Sequence, residues 1–173
     1  MSGFSPNGFG VIGLGRMAQA LLFPLLESGL VPASGVRAAV ASASSADRLR
    51  QQRPELTVST DPAQAWGCPV VLLAVKPQQL EAVAAQVPPA AAADSPLLIS
   101  VLAGVTLARL QRLFPGWRIV RAVPNTPALV RCGLTGLAWG EGVDSPQRAW
   151  VQGLFAQVGE VLELPEERKS TRL

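Results

Sequence analysis

The chain has 173 residues, of which 49 % are hydrophobic and 16 % are charged, enough apolar material for the core of one domain. Fifteen basic and twelve acidic residues give a net charge of +3, and the basic residues are dispersed, which argues against nucleic acid as a partner. No apolar stretch approaches the roughly 18 residues of a membrane-spanning helix, and no basic region precedes an apolar run at the N-terminus. We therefore expect a cytoplasmic protein without a membrane partner.

Short apolar runs alternate along the chain with segments of helical period, which is the pattern of βαβ units. The pattern predicts a doubly wound, mostly parallel, Rossmann-like α/β sheet with helices on both faces over residues 1–164, and a polar tail over 165–173. Strands are predicted at 9–12, 36–41, 70–75, 97–102, 118–123, 134–139 and 161–164.

The helices between these strands have recognisable boundaries. The first is predicted over 16–28, with a kink or loosened turn at Pro24 and an end at Gly29. Another begins after Lys76-Pro77, and a third is capped by Thr106. In the last helix, we predict Ser145 as the N-cap, Pro146 as the first helical residue and Gly159 as the end.

The first strand runs into the segment GVIGLGRMAQA, in which Gly13, Gly15 and Ala18 form a G-x-G-x-x-A pattern. In a dinucleotide-binding turn, the first glycine allows a sharp turn and the second lets the backbone approach a pyrophosphate. The small third residue keeps the helix close to the strand, and the free N–H groups of the first helical turn attract the anion. The alternative is a glycine-rich turn kept only for packing.

The segment after the second strand indicates which dinucleotide is bound. An NAD site usually has an acid about 20 residues after the glycines to bind the ribose 2′-OH. No acid occurs between residues 30 and 46, whereas Ser42, Ser44 and Ser45 precede three arginines at 48, 50 and 53. Hydroxyl groups and a guanidinium group suit a 2′-phosphate, so the sequence favours NADP(H) over NAD(H). Which arginine contacts the phosphate stays open.

The residue types that are missing narrow the chemistry further. The chain contains no histidine, which excludes mechanisms that use imidazole as base, acid or metal ligand. The two cysteines, Cys68 and Cys132, have no carboxylates at ligand spacing around them. We therefore expect free thiols in a reducing compartment and no metal site.

Three further segments occur at the carboxyl ends of predicted strands: AVKPQ at 74–78, ISVLAGV at 99–105 and RAVPNTP at 121–127. Together with GLGRMAQA at 13–20, in this order and spacing, they resemble the pyrroline-5-carboxylate reductase family. The resemblance extends from about Phe9 to Leu164. The chain departs from the family pattern at two positions. Val123 stands where methionine is common, and Asp61 stands where asparagine is common near the adenosine ribose.

The resemblance implies NADPH as the usual hydride donor. The resemblance, the glycine-rich turn and the absence of an acid after the second strand together predict cofactor contacts in five places. They are Gly13, Leu14, Gly15, Arg16, Met17 and Ala18 in the turn, Ser42, Ser44 and Asp61 near the ribose, Ala74, Val75, Lys76 and Pro77 after the 70–75 strand, Ala103 and Gly104 after the 97–102 strand, and Asn125 and Thr126 after the 118–123 strand.

The activity that the resemblance implies is hydride transfer from NADPH to the C=N carbon of 1-pyrroline-5-carboxylate, a small-molecule imine, to give L-proline in the last step of proline biosynthesis. An imine can arrive protonated on nitrogen, so a chain without histidine fits this reduction. No catalytic residue is assigned. Lys76 has three possible roles, namely neutralising the substrate carboxylate, orienting the nicotinamide amide or ending a strand in solvent.

Members of the family continue into a helical domain that forms the dimer and holds the substrate, and the resemblance of this chain ends near Leu164. A homo-oligomer stays possible, although the dimer-forming part is absent from this sequence. Two other functions stay open. One is a catalytically inactive NADP-binding module or remnant, and the other is another NADP-dependent reductase of the 6-phosphogluconate-dehydrogenase-like type.

Overall fold

The computed structural model describes residues 3–87, 95–124 and 133–165. The strands in these ranges are β1 (Phe9–Ile12), β2 (Val36–Ala39), β3 (Thr57–Ser59), β4 (Val70–Leu73), β5 (Leu97–Ser100), β6 (Arg118–Pro124), β7 (Gly133–Trp139) and β8 (Gly159–Glu163). The α-helices are α1 (Arg16–Ser28), α2 (Ala43–Gln52), α3 (Ala63–Trp66), α4 (Leu80–Ala84), α5 (Leu107–Leu113) and α6 (Ser145–Ala156). Short 3-10 helices occupy Ala33–Gly35 and Pro77–Gln79.

The strands form a single sheet in the order β3-β2-β1-β4-β5-β6-β7-β8. Every neighbouring pair is parallel except β6 and β7, which are antiparallel. The predicted Rossmann-like, mostly parallel sheet is therefore confirmed. The chain winds outward from β1 in one direction and from β4 in the other, so the strand order reverses between these two strands. In open α/β sheets, ligands bind beyond the carboxyl ends of the strands at such a reversal.

Helices cover both faces of the sheet, which explains why the central strands are continuous apolar runs. All four residues of β4 are buried, and they alternate between the two faces. Leu72 lies in the core beneath α1, α2 and α6, whereas Leu73 lies in the core beneath α3, α4 and α5. None of the helices within the described part of the chain is long and apolar enough to cross a membrane.

Helix α1 is continuous from Arg16 to Ser28 with Pro24 inside it. Pro24 lacks the N–H donor of an ordinary helical residue, but it is buried together with Leu21, Leu22 and Leu25. The helix ends as predicted at Gly29, whose φ of 79° is accessible to glycine at little cost.

The predicted end points of α6 were wrong. The N-cap is Asp144, because its carboxylate accepts a hydrogen bond of 2.9 Å from the backbone N–H of Gln147. The side chain of Gln147 in turn accepts one of 3.1 Å from the N–H of Asp144, which completes a capping box. At the other end, the helix finishes at Ala156, and Gly159 is the first residue of β8.

The capping box gives a prediction for stability. Replacing Asp144 with alanine is expected to lower the free energy of unfolding by about 1 kcal/mol, because a first-turn N–H of α6 loses its acceptor. Replacing the neighbouring Ser145 with alanine is the matched control and should have a much smaller effect. Urea denaturation of both variants measures the difference. Equal losses for the two variants would contradict the assignment of Asp144 as the cap.

Candidate functional site

The glycine-rich turn between β1 and α1 requires glycine at Gly13. Its φ is +87°, and a Cβ atom there would lie 2.9 Å from the carbonyl oxygen of Ala74. Its N–H donates a hydrogen bond of 2.9 Å to the carbonyl oxygen of Ala39, and the N–H of Ala74 donates one of 2.9 Å to Ile12. The turn is thus held between the ends of β2 and β4 on either side of β1.

Gly15 is a different case, because no protein atom demands glycine there. It is the N-cap of α1, with an ordinary φ of −86°, and a Cβ atom on it would meet nothing within 4 Å. No side chain caps the helix at this end, and its first turn contains no acid. The turn therefore presents unoccupied backbone N–H groups to an open space, which is the arrangement that binds phosphate groups.

Two residues of α1, Ala18 and Gln19, support the glycine-rich turn. Ala18 is only 1 % exposed, as close packing of helix and strand requires. The side-chain amide of Gln19, which the sequence analysis did not single out, donates a hydrogen bond of 3.0 Å to the carbonyl oxygen of Leu14. This bond holds the turn closed over the first residues of α1.

A cleft of about 440 Å³ lies beside this turn at the reversal of strand order. Its apolar walls come from the ends of the central strands and from α4, and its polar side-chain groups are the amides of three glutamines and the hydroxyl of Thr60. The residues that line it include Gly13, Val40, Ala41, Thr60, Val75, Gln78, Gln79, Val83 and Gln86. A planar ring with hydrogen-bonding edges suits such a cleft.

The serines at 42, 44 and 45, of which the first two were predicted as cofactor contacts near the ribose, form one cluster at the start of α2. Ser42 is the N-cap, and its hydroxyl accepts a hydrogen bond of 3.2 Å from the N–H of Ser45. The same hydroxyl lies 3.2 Å from that of Ser44 and 3.0 Å from that of Ser45. Since α2 follows β2, this serine cluster stands at the same edge of the sheet as the glycine-rich turn.

The remaining predicted positions also follow strand ends, where the structure describes them. Lys76 and Pro77 are exposed after β4, and the N–H of Lys76 donates a hydrogen bond of 3.3 Å to the side chain of Gln79. Ala103 and Gly104 are exposed after β5, where Gly104 has a φ of +73°. Asn125 and Thr126 lie outside the described residues. The choice among the three roles of Lys76 stays open.

Asp61 has a local structural role. Its carboxylate accepts a hydrogen bond of 3.1 Å from the N–H of Ala63, and its own N–H donates one of 3.0 Å to the hydroxyl of Ser59. These bonds shape the turn between β3 and α3. Its contact with a cofactor ribose stays a prediction.

Within residues 3–87, 95–124 and 133–165, no three side chains of histidine, cysteine, aspartate or glutamate come together as metal ligands would.

Comparison with known proteins gives the chain a family. Residues 8–104, more than half of the chain, match the family described as NADP oxidoreductase coenzyme F420-dependent. The chain belongs to this family. The matched segment contains every cofactor-contact position that was predicted up to Gly104.

Individual proteins are also similar to this chain. It is 40 % identical over 158 residues to the pyrroline-5-carboxylate reductase of Synechocystis sp., and the match covers 91 % of this chain and 58 % of that protein. It is 36 % identical over 166 residues to the corresponding protein of Mycobacterium tuberculosis, covering 91 % of this chain and 55 % of that one.

Among solved structures, the chain superimposes on a pyrroline-5-carboxylate reductase from Coxiella burnetii with a TM-score of 0.80 and 29 % identity, covering 93 % of this chain and 59 % of that one. The chain thus spans little more than half the length of the relatives it matches.

Cys68 lies at the opposite edge of the sheet, and its thiol is free and buried. Burial raises the pKa of this thiol, and the nearby charge of Arg37 opposes the shift. Because a raised pKa leaves less thiolate at a given pH, we expect iodoacetamide at pH 8 to label Cys68 in the folded protein about tenfold more slowly than in urea. Peptide mass spectrometry measures this rate separately from that of Cys132. Equal rates in the two conditions would contradict the prediction.

Proposed function

We propose that residues 1–164 form the NADP(H)-binding domain of a pyrroline-5-carboxylate reductase, which reduces the C=N bond of 1-pyrroline-5-carboxylate to give L-proline. The observation that carries this proposal is the open phosphate turn at Gly13 and Gly15 beside a cleft at the reversal of strand order. The similarity to relatives of that name supports the reaction and the small-molecule imine substrate.

The residues present fit NADP(H) along the carboxyl edge of the sheet. The uncapped first turn of α1 would hold the pyrophosphate, because its N–H groups are free and the space above Gly15 is open. The cleft between Val40 and Val83 would hold the adenine ring between apolar walls. The end of β2 has hydroxyl groups and no acid, which suits a 2′-phosphate better than a free 2′-OH.

The chain's part in the reaction is to bind and orient. The cofactor, when bound, supplies the hydride. Lys76 and the turn at Ala103 and Gly104 stand at the carboxyl ends of β4 and β5, where they would border the nicotinamide end of the site. Since the chain has no histidine, the proton is expected to be on the imine nitrogen when the substrate binds. Catalysis would then depend mainly on positioning the two reactants.

A second function, a catalytically inactive NADP-binding module, stays open because the phosphate turn, the cleft and the serine cluster all bear on the cofactor and not on the substrate. Such a module binds the cofactor and turns over no substrate alone. For either function we propose a cytoplasmic location, which suits the free thiol of Cys68.

Two measurements on the purified chain separate these functions. NADPH binding is followed by titration of NADPH fluorescence, and reduction is followed as NADPH oxidation in the presence of 1-pyrroline-5-carboxylate. Binding with turnover supports the reductase, whereas binding without turnover supports the module. A substrate panel in which another imine or acid reacts faster would point instead to a different NADP-dependent reductase. Absence of NADPH binding would overturn the proposal.

A further inference from the structure

Three arginines lie in α2 or at its C-terminal end, namely Arg48, Arg50 and Arg53. Their side chains make different contacts. Arg50 points toward β3, where its guanidinium donates hydrogen bonds of 3.2 and 2.6 Å to the carbonyl oxygen of Val58. It also forms an ion pair of 3.1 Å with Asp47. Arg50 therefore joins α2 to the neighbouring strand.

Arg53 is held at the far end of the helix. Its guanidinium lies 4.4 Å from the centre of the Phe23 ring in α1 and 3.3 Å from the carboxylate of Glu55. A longer ion pair of 3.9 Å links it to Glu27. These contacts keep Arg53 away from the serine cluster at the opposite end of α2.

Arg48, the third of these arginines, makes no polar contact with another described strand or helix. Its side chain is exposed and makes no hydrogen bond or ion pair with the described residues. It lies four residues after Ser44, so the two side chains share one face of α2. Side chains on a helix lean toward its N-terminus, so an arginine at position 48 is within reach of the serine cluster. Ala46 and Leu49 occupy the buried face instead.

We propose that Arg48 is the residue that selects NADP(H) over NAD(H), by binding the ribose 2′-phosphate together with the hydroxyls of the serine cluster. This inference rests on the proposed cofactor function. The cleft beside the turn reaches Ala41, directly before Ser42, so a nucleoside held in that cleft has its ribose beside the cluster. The acid nearest in sequence, Asp47, is paired with Arg50, which leaves the charge of Arg48 for an anion.

The physical basis is the shape and charge of the guanidinium group. Its planar fork can donate two parallel hydrogen bonds to phosphate oxygens, and the hydroxyls of Ser42 and Ser44 can donate further ones. NADH has only a 2′-hydroxyl at this place and gains nothing from the charge. Removing Arg48 should thus weaken binding of the phosphorylated cofactor and leave the other unchanged.

The test compares the wild-type chain with Arg48→Gln in titrations with NADPH and NADH. Two smaller probes, adenosine 2′,5′-bisphosphate and adenosine 5′-monophosphate, differ in the same way by the 2′-phosphate. We expect Arg48→Gln to raise the Kd of the two 2′-phosphorylated ligands about ten- to a hundredfold, with less than a twofold change for the other two. Arg48→Lys should recover part of the loss, since it keeps the charge but not the fork.

Arg112→Gln is the matched control, because Arg112 is an exposed arginine of α5 and its removal changes the net charge equally. It should leave the NADPH to NADH preference unchanged. If both variants change the NADPH to NADH preference equally, the assignment to Arg48 is overturned. A wild-type chain that binds NADH as tightly as NADPH would overturn it as well. If the wild type binds neither dinucleotide, the proposed function itself fails. If it prefers NADPH and Arg48→Gln keeps that preference, only this inference fails.

Discussion

Replacing Gly15 with alanine is expected to weaken NADPH binding by at least about tenfold while the protein stays folded. The added Cβ atom would meet no protein atom within 4 Å and would require no unusual backbone angle, because φ is already −86°. It would instead stand in the open space where a pyrophosphate approaches the N–H groups of α1. Alanine is a poorer N-cap than glycine, so a loss of stability of up to about 1 kcal/mol is expected.

The matched control for this variant is Gly153→Ala in the middle of α6. A Cβ atom there also meets nothing within 4 Å, so the two substitutions differ in place and not in crowding. Alanine should stabilise α6 by up to about 1 kcal/mol and leave the Kd for NADPH unchanged. Fluorescence titration gives both Kd values, and thermal unfolding confirms that both variants fold. Wild-type affinity in Gly15→Ala would show that the turn serves packing only.

Replacing Gly10 with alanine is expected to have the larger effect on stability. Gly10 lies in β1, and a Cβ atom on it would overlap the carbonyl oxygen of Ala65 in α3. Because the obstacle is backbone, α3 must move away from the sheet. We expect the free energy of unfolding to fall by about 2–3 kcal/mol, measured by urea denaturation.

Gly67→Ala provides the comparison for Gly10 within the same part of the fold. It lies at the end of α3, where the nearest atom to an added Cβ is the carbonyl oxygen of Gln64 at an ordinary 3.5 Å. Its φ of −79° suits alanine. A loss from Gly67→Ala as large as that from Gly10→Ala would mean that crowding against Ala65 is not the cause.

Local sequence was sufficient for the parts of the fold whose pattern is long or chemically distinctive. The amphipathic helix at 16–28 was predicted at its observed position, and the buried strand predicted at 70–75 begins where expected but ends at Leu73, since burial on one or both faces imposes a readable pattern on the sequence. The glycine-rich turn was readable because Gly13 serves a backbone geometry and Gly15 leaves open space beside the turn. The serines at 42, 44 and 45 drew attention because no acid occurs between residues 30 and 46.

Other features depend on contacts between distant residues and were not readable. Strand β3 has three residues and helix α3 has four, which is too short for any period to show. The crowding around Gly10 arises only because α3 packs on β1. Asp144 and Ser145 are adjacent and both suit an N-cap, so the bond to Gln147 was needed to decide between them.

The backbone bonds that surround the glycine-rich turn continue one strand further outward. Besides the bonds from Gly13 to Ala39 and from Ala74 to Ile12, the N–H of Val40 donates a hydrogen bond of 2.9 Å to the carbonyl oxygen of Ser59. The ends of four adjacent strands are therefore fastened to one another before any ligand arrives. A dinucleotide that docks on this edge would lose its own freedom but impose little new order on the protein, so most of the entropic penalty of binding would be borne by the ligand.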